Sequence, residues 1–303
     1  MDLQVNKKNG ESFTFEEHGV IVKDFIVSSI PLISNYSRVE GSDRQLDNGV
    51  DYGSRTIRVP IHVQAYDLAD FPLLRDKLFS LVTSKESFYI REMRRVKKLS
   101  YAFVDTNEPA RMDPDTDNRF VGGKRYLVRL QNVYELEQIE ISGEGELIFE
   151  TTELPFAESI GTTQDIHNNG INANDALWGF GMGLIADDDS LIYTHTGTSF
   201  KIYNAGDVSV HPFEQDLKIT INNIQGLTSY FELRNITTGD LFRVNEGATG
   251  TIVLDGPNIT RNNLNYLRET NKQYITLAPG WNEFDILGAT SARGAFDFRF
   301  YYQ

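Results

Sequence analysis

Residues 57–66 alternate. Ile57, Val59, Ile61, Val63 and Ala65 fall on one side, and Arg58, Pro60, His62, Gln64 and Tyr66 on the other. A period of two with β-branched residues predicts a half-buried strand. Pro60 has no N–H for a ladder, so its place is predicted to be an edge or a bulge. The period then changes. Phe71, Leu74, Leu78, Leu81 and Val82 recur at three and four residues, the stripe of an amphipathic helix over about 70–84. Asp70 or Asp67 is placed to cap its first turn, and Pro72 stands where a missing N–H costs little.

Elsewhere the pattern is one of strands. "YLVRLQNVYELEQIEI" and "GELIFET" follow a polar stretch at 105–125 that reads as a long loop or hairpin tip. In the second, Leu147 and Phe149 oppose Glu146, Ile148 and Glu150, so one face carries acid. Hydrophobics thin out over 151–175, which places a domain boundary near Pro155. Beyond it, "SFKIYNAG", "DLKITINNI", "SYFELRNITTGDLFRV", "GTIVLDG", "YITLAPGWNEFDILG" and "AFDFRFYYQ" are short strands separated by turn formers such as Asp255-Gly256 and Pro279-Gly280. Phe296, Phe298, Phe300 and Tyr302 alternate with Asp297, Arg299 and Tyr301. Regular short strands of this kind predict an antiparallel sandwich or jelly roll. The fold class is therefore mainly β, with residues 1–155 a β domain bearing one helix and residues 156–303 a β-sandwich. No internal repeat or low-complexity tract is visible.

Composition narrows the chemistry. No cysteine means no disulfide, thiolate metal site or cysteine nucleophile. No apolar run approaches the ~18 residues of a membrane span, and the N-terminus lacks a signal-peptide core, which points to folding in a cytosol and no membrane insertion. The net charge of −14 is shared by both halves, −5 over residues 1–150 and −9 over 151–303. Neither half has the basic footprint of a general nucleic-acid binder.

The candidate sites are few. Asp113, Asp115 and Asp117 occupy positions one, three and five of a calcium-loop pattern. That pattern fails at Asn118, where glycine is wanted, and at Lys124, where a bidentate glutamate is needed. A solvated hairpin tip is the plainer reading. Asp187, Asp188 and Asp189 read as an exposed turn rather than a cation site. The basic run Arg91 to Lys98, with Arg94, Arg95 and Lys97, is read as a surface for an acidic partner. None of the five histidines stands in a metal-ligand spacing, no GxSxG or Walker loop occurs, and no carboxylate pair is singled out for glycoside hydrolysis. Trp178 and Trp281 are of a type that stacks on sugars; for Trp281, after a Pro-Gly turn and before Phe284 and Ile286, core or inter-strand packing is the plainer reading.

The order of "HVQAYDLADFPLLRDKLFSLV", "LPFAES", "YNAGDVSVHP" and "APGWNEFDI" resembles the distal tail proteins (Dit, siphovirus tail components) of long-tailed phages of Gram-positive hosts, over nearly the whole chain. The resemblance implies a non-enzymatic baseplate protein without cofactors, at the distal end of the virion tail. Its N-terminal domains would be split-barrel-like and close a hexameric ring. The ring would join the tail tube to the tail-tip hub, or tail-associated lysin, next to the tape measure protein, with DNA only in transit through its channel. The C-terminal domain would be like a galectin or carbohydrate-binding module in fold and, as in some phages, carry receptor-binding proteins. Galectin sugar-reading residues have no counterpart here: "GWNEFDI" puts Glu283 two residues after Trp281 and lacks the arginine. Glu144 and Glu146, with the basic run, are the expected interface or lumen residues. The other readings are a carbohydrate-binding adhesion module and, behind it, a glycoside hydrolase.

Overall fold

The computed structural model describes residues 1–41, 43–95, 120–171, 177–179, 181–185, 188–246 and 249–303. The chain divides into two compact units, Met1–Pro155 and Phe156–Gln303.

The N-terminal unit holds strands β1 (Asp2–Asn6), β2 (Ser12–Thr14), β3 (Val20–Val22), β4 (Ile26–Val27), β5 (Leu32–Arg38), β6 (Gln45–Tyr52) and β7 (Thr56–Gln64). Helix α1 (Phe71–Val82) follows, then β8 (Phe88–Arg95), β9 (Phe120–Val121), β10 (Lys124–Leu130), β11 (Glu137–Ile139) and β12 (Ser142–Thr151). The main sheet runs β2-β1-β8-β10-β12-β7-β3, with β4 also on β7, β9 on β8 and β11 on β12. The paired strands are antiparallel. The alternation of residues 57–66 holds: Ile57, Val59, Ile61, Val63 and Ala65 are all buried.

Pro60 lies inside the sheet, not at an edge or a bulge of its own strand. β7 is covered by β12 on one side and by β3 and β4 on the other, and Pro60 falls opposite the gap between those two short strands. Its carbonyl accepts from Lys23 N (2.9 Å), so its missing N–H also faces that gap, where the ladder has no acceptor to disappoint.

α1 lays Phe71, Leu78 and Val82 on the sheet. The cap differs from the expectation. Asp70 occupies the N-cap position in a helical conformation and its side chain caps no helical N–H. It accepts from Tyr66 N (3.4 Å), while Asp67 accepts from Asp70 N (2.8 Å), so the two carboxylates brace the turn before the helix. Gly143 on β12 leaves the room that Phe71 fills: a Cβ there would stand 2.8 Å from the ring.

In the C-terminal unit the strands are β13 (Ala157–Ser159), β14 (Thr194–Gly197), β15 (Ser199–Asn204), β16 (Leu217–Gln225), β17 (Phe231–Asn235) and β18 (Leu241–Val244). They continue as β19 (Ile252–Asp255), β20 (Asn258–Arg261), β21 (Leu264–Asn265), β22 (Gly280–Leu287), β23 (Ser291–Phe298) and β24 (Tyr301–Tyr302). Two sheets, β14-β23-β16-β19-β20-β21 and β15-β22-β17-β18, make the sandwich. Phe200 and Phe284 from one sheet meet Phe296 from the other at 5.8 and 4.9 Å between ring centres, which fixes the face-to-face packing. A second helix, α2 (Thr163–Asn169), adds to the one expected. The final alternation runs as far as Phe300 and then fails, since Tyr301 and Tyr302 are both buried after the strand breaks.

Candidate assembly surfaces

The outer face of β12 and β7 carries the acid the sequence placed there. In register, Glu144 stands opposite His62 on one side and Glu137 of β11 on the other. Two carboxylates directly opposite repel. Lys23 answers this with an ion pair to Glu144 at 2.6 Å, and His62 Nδ1 lies 3.6 Å from the same carboxylate. The Lys23 hydrogen bond, helped by its charge and by His62, holds the Glu144 carboxyl below the usual range. Glu146 pairs with Arg58 at 3.6 Å, and Glu150 accepts from Ser54. Lys23, Pro60, Ile61, Glu135, Glu137 and Glu144 line a cleft of about 520 Å³. Acids outnumber bases on this face, and the ion pairs are solvent-exposed and thus weak contributors to stability.

The basic run splits. Arg91 is 5% exposed, its guanidinium donating to Gln4 Oε1 (3.2 Å), so this side chain belongs to the unit's interior and not to a surface for a partner. Arg94 is exposed and pairs with Glu92 at 2.5 Å. Lys97, Lys98 and the Arg95 side chain lie outside the described residues, as do Asp113, Asp115 and Asp117 of the calcium-like segment. Asp188 caps a short 3-10 turn at Asp189–Leu191 by accepting from Ser190 N (2.8 Å), which lowers its pKa; that gives it a structural job. Among the described residues, no group of three or more histidines and carboxylates is arranged to hold a metal, and no helix is long and apolar enough to cross a membrane.

Several motif residues turn out to be brackets inside the C-terminal unit. Ser159 of "LPFAES" is fully buried; its hydroxyl donates to Gly161 O (2.7 Å) and accepts from Phe300 N (3.0 Å). Asn204 of "YNAGD" accepts from Gly206 N and donates to Val208 O, each at 3.0 Å. Gly206 is required there, because a Cβ would stand 2.5 Å from Tyr301 O. Asn282 of "GWNE" accepts from Ala278 N (2.9 Å) and donates to Ala278 O (2.8 Å), while Asn235 donates to its Oδ1 (3.1 Å). Replacing Asn282 with Ala strands these buried and part-buried groups, each costing about 1–3 kcal/mol. Ala278 is only partly buried and Asn235 keeps its bond to Thr276 O, so the loss for the C-terminal unit should sit at the low end of that sum, roughly 3 kcal/mol in urea unfolding; an unchanged midpoint would show the bracket to be dispensable.

Trp281 is 44% exposed and packs across strands on Tyr203, with ring centres 5.1 Å apart. Its plain role is thus the inter-strand one and not the core one. Trp178, by contrast, is buried beside Phe300. His195 stacks on Phe200 at 5.2 Å, and one ring nitrogen contacts Ile192 O at 3.0 Å. Burial, above all, depresses its pKa below the ordinary 6.5. The unfolded chain therefore binds this proton more readily, so stability is full above about pH 6.5 and falls as pH drops toward the folded value. Thermal unfolding of His195→Phe should lose that component of the pH dependence; identical slopes for both proteins would refute it.

Residues 8–151 match the family model of the phage tail protein RIFT-related domain. No curated protein sequence matches the chain. Among solved structures the chain is similar to the SPP1 Dit protein, whose crystal structure is presented as a paradigm of the hub adsorption apparatus in Gram-positive infecting phages. That match has a TM-score of 0.59 at 12% identity, over 99% of this chain and 98% of that one, and the likeness is one of fold. The phage P2 baseplate in its activated conformation with Ca aligns over 99% and 97% of the two chains, but at 9% identity with a TM-score of only 0.34.

Proposed function

We propose that this chain, whose residues 8–151 match the model of the phage tail protein RIFT-related domain, forms a ring at the distal end of a siphophage tail. Six N-terminal units close the ring between the tail tube above and the tail-tip hub or tail-associated lysin below. The tape measure protein and then the genome pass through its opening. The C-terminal sandwich serves as a platform for receptor-binding proteins.

The observation that carries this reading is the family match across residues 8–151, which spans nearly all of the N-terminal unit. The acidic face of β12 and β7 supports the channel. A wall of like charge repels phosphates, so DNA slides without binding. The role assigned is structural: the polar residues of the motifs are absorbed in brackets, and Glu144 and Glu146 are engaged by Lys23 and Arg58.

Electron microscopy of the purified protein and of tails carrying it is the direct test. A six-fold ring with an opening wide enough for duplex DNA is expected. Monomers at every concentration, with no ring density at the tail tip, would overturn the proposal.

A further inference from the structure

In the C-terminal unit, the loop before β16, the turn between β19 and β20 and the last residues of β23 line a cleft of about 500 Å³. That is the size of a small-molecule site. Its apolar wall is Phe213, which is 56% exposed, with Pro212 and Pro257 in the same lining. The ring is held in place. Tyr274 meets it in a T-shaped contact at 4.6 Å between ring centres, and His211 lies at 5.5 Å. The Tyr274 hydroxyl in turn donates to Pro257 O (2.9 Å), which ties the ring to the β19–β20 turn. An exposed aromatic ring fixed in this way is preorganised for the apolar face of a ligand.

Two polar groups in the same lining lack partners. Gln215 is 6% exposed; its Oε1 accepts from His211 N (2.7 Å), and its Nε2 has no hydrogen-bond partner among the described residues. The Asp297 carboxylate has none either, and one of its oxygens is fully buried. Lys218 stands opposite Asp297 in register but pairs with Asp255 at 3.5 Å. Polar groups left unmade in this way are costly, so a ligand that satisfies them gains. It must accept a hydrogen bond from the amide and donate one to the carboxylate.

Charge narrows the class. Asp216 is engaged by Arg299 at 3.5 Å, and Arg299 is itself anchored on Ser159 O (3.0 Å) and Ile160 O. Across the lining Glu214, Asp216, Asp255 and Asp297 outnumber Lys218 and Arg299 by two. Phosphates and other anions are therefore repelled. An ammonium group would suit the carboxylates but has no acceptor for Gln215 Nε2. A hydroxyl is donor and acceptor at once, and a sugar ring carries hydroxyls around its edge and an apolar C–H face. We propose that this cleft binds a neutral saccharide, with a sugar ring stacked on Phe213 and its hydroxyls on Gln215 Nε2 and the Asp297 carboxylate. The site lies within one C-terminal unit and does not depend on the ring reading. It is also separate from the Trp281–Tyr203 pair, which belongs to the other sheet of the sandwich.

The test applies the full-length protein to an array of neutral oligosaccharides of glucose, galactose and N-acetylglucosamine, and titrates the best binder by calorimetry. Saturable binding is expected. Phe213→Ala should weaken it about tenfold. Gln215→Glu keeps the acceptor for His211 N and removes the donor, and should also weaken it about tenfold. Trp281→Ala should bind as the wild type does. If Phe213→Ala or Gln215→Glu lowers the melting temperature, Phe213→Leu and Asp297→Ala take their places and should give the same loss. An array with no bound saccharide overturns the proposal. So does unchanged affinity in either cleft variant, or a loss confined to Trp281→Ala. Tighter binding of polyglycerol phosphate or hexalysine than of every saccharide would hand the cleft to a charged ligand and overturn it as well.

Discussion

Replacing Leu78 with Asp is expected to unfold the N-terminal unit and to abolish every assembly built from it. Leu78 is 1% exposed in the middle of α1 and belongs to the core with Val63, Phe71 and Val82. Truncating such a leucine costs about 2–5 kcal/mol. An unpaired carboxylate in the same place adds several more. Against a total stability of roughly 5–15 kcal/mol, the sum leaves little or nothing. Circular dichroism and gel filtration give the readout. Leu78→Ala should fold with a lowered melting point, and Leu78→Asp should show no cooperative transition for this unit. Folded, ring-forming Leu78→Asp protein would mean that α1 is peripheral to the core.

Reversing Glu144 and Glu146 to Lys should leave the unit folded and make it bind duplex DNA. Both side chains are solvent-exposed and their ion pairs are dispensable, so the effect lies in the field and not in the fold. Each chain changes by four charge units on one face. On the proposed ring reading, six such chains would turn a repelling wall into an attracting one. DNA affinity should appear at low salt, with a salt slope steepening by about 0.9 for each phosphate engaged. Phage carrying the change should form tails yet deliver their genomes poorly. Tails of normal infectivity, with no DNA affinity at low ionic strength, would remove this face from the channel.

How far the sequence was readable depends on whether a pattern has one physical cause. The alternation of 57–66 and the stripe of α1 have one, burial on a single face, and both stand as read. Leu32–Tyr52 has the same letters with no core beneath it, and periodicity does not distinguish a strand that packs from one that projects. Arg91 shares a strand face with Met93, which is buried, and that parity was the available sign that it points inward. α2 lacks an apolar stripe, but Thr162 with Asp165 three residues on is a capping-box spacing, and Asp165 does accept from Thr162 N (2.8 Å). Pro60 was legible as a missing donor; only the sheet reveals that the deficiency sits in a neighbour's gap. For the candidate surfaces, the acidic face followed from strand parity, while the exposure of the β5–β6 ribbon needed coordinates, because exposure is a property of what is not packed nearby.

The pairing of β13 with β24 carries a consequence of a different kind. Ala157 stands opposite Tyr302, and Ser159 ties the same corner to Phe300. The sandwich thus begins and finishes at one point, buttoned to itself. A module with both ends together can host inserted sequence at its far loops without re-threading its own strands.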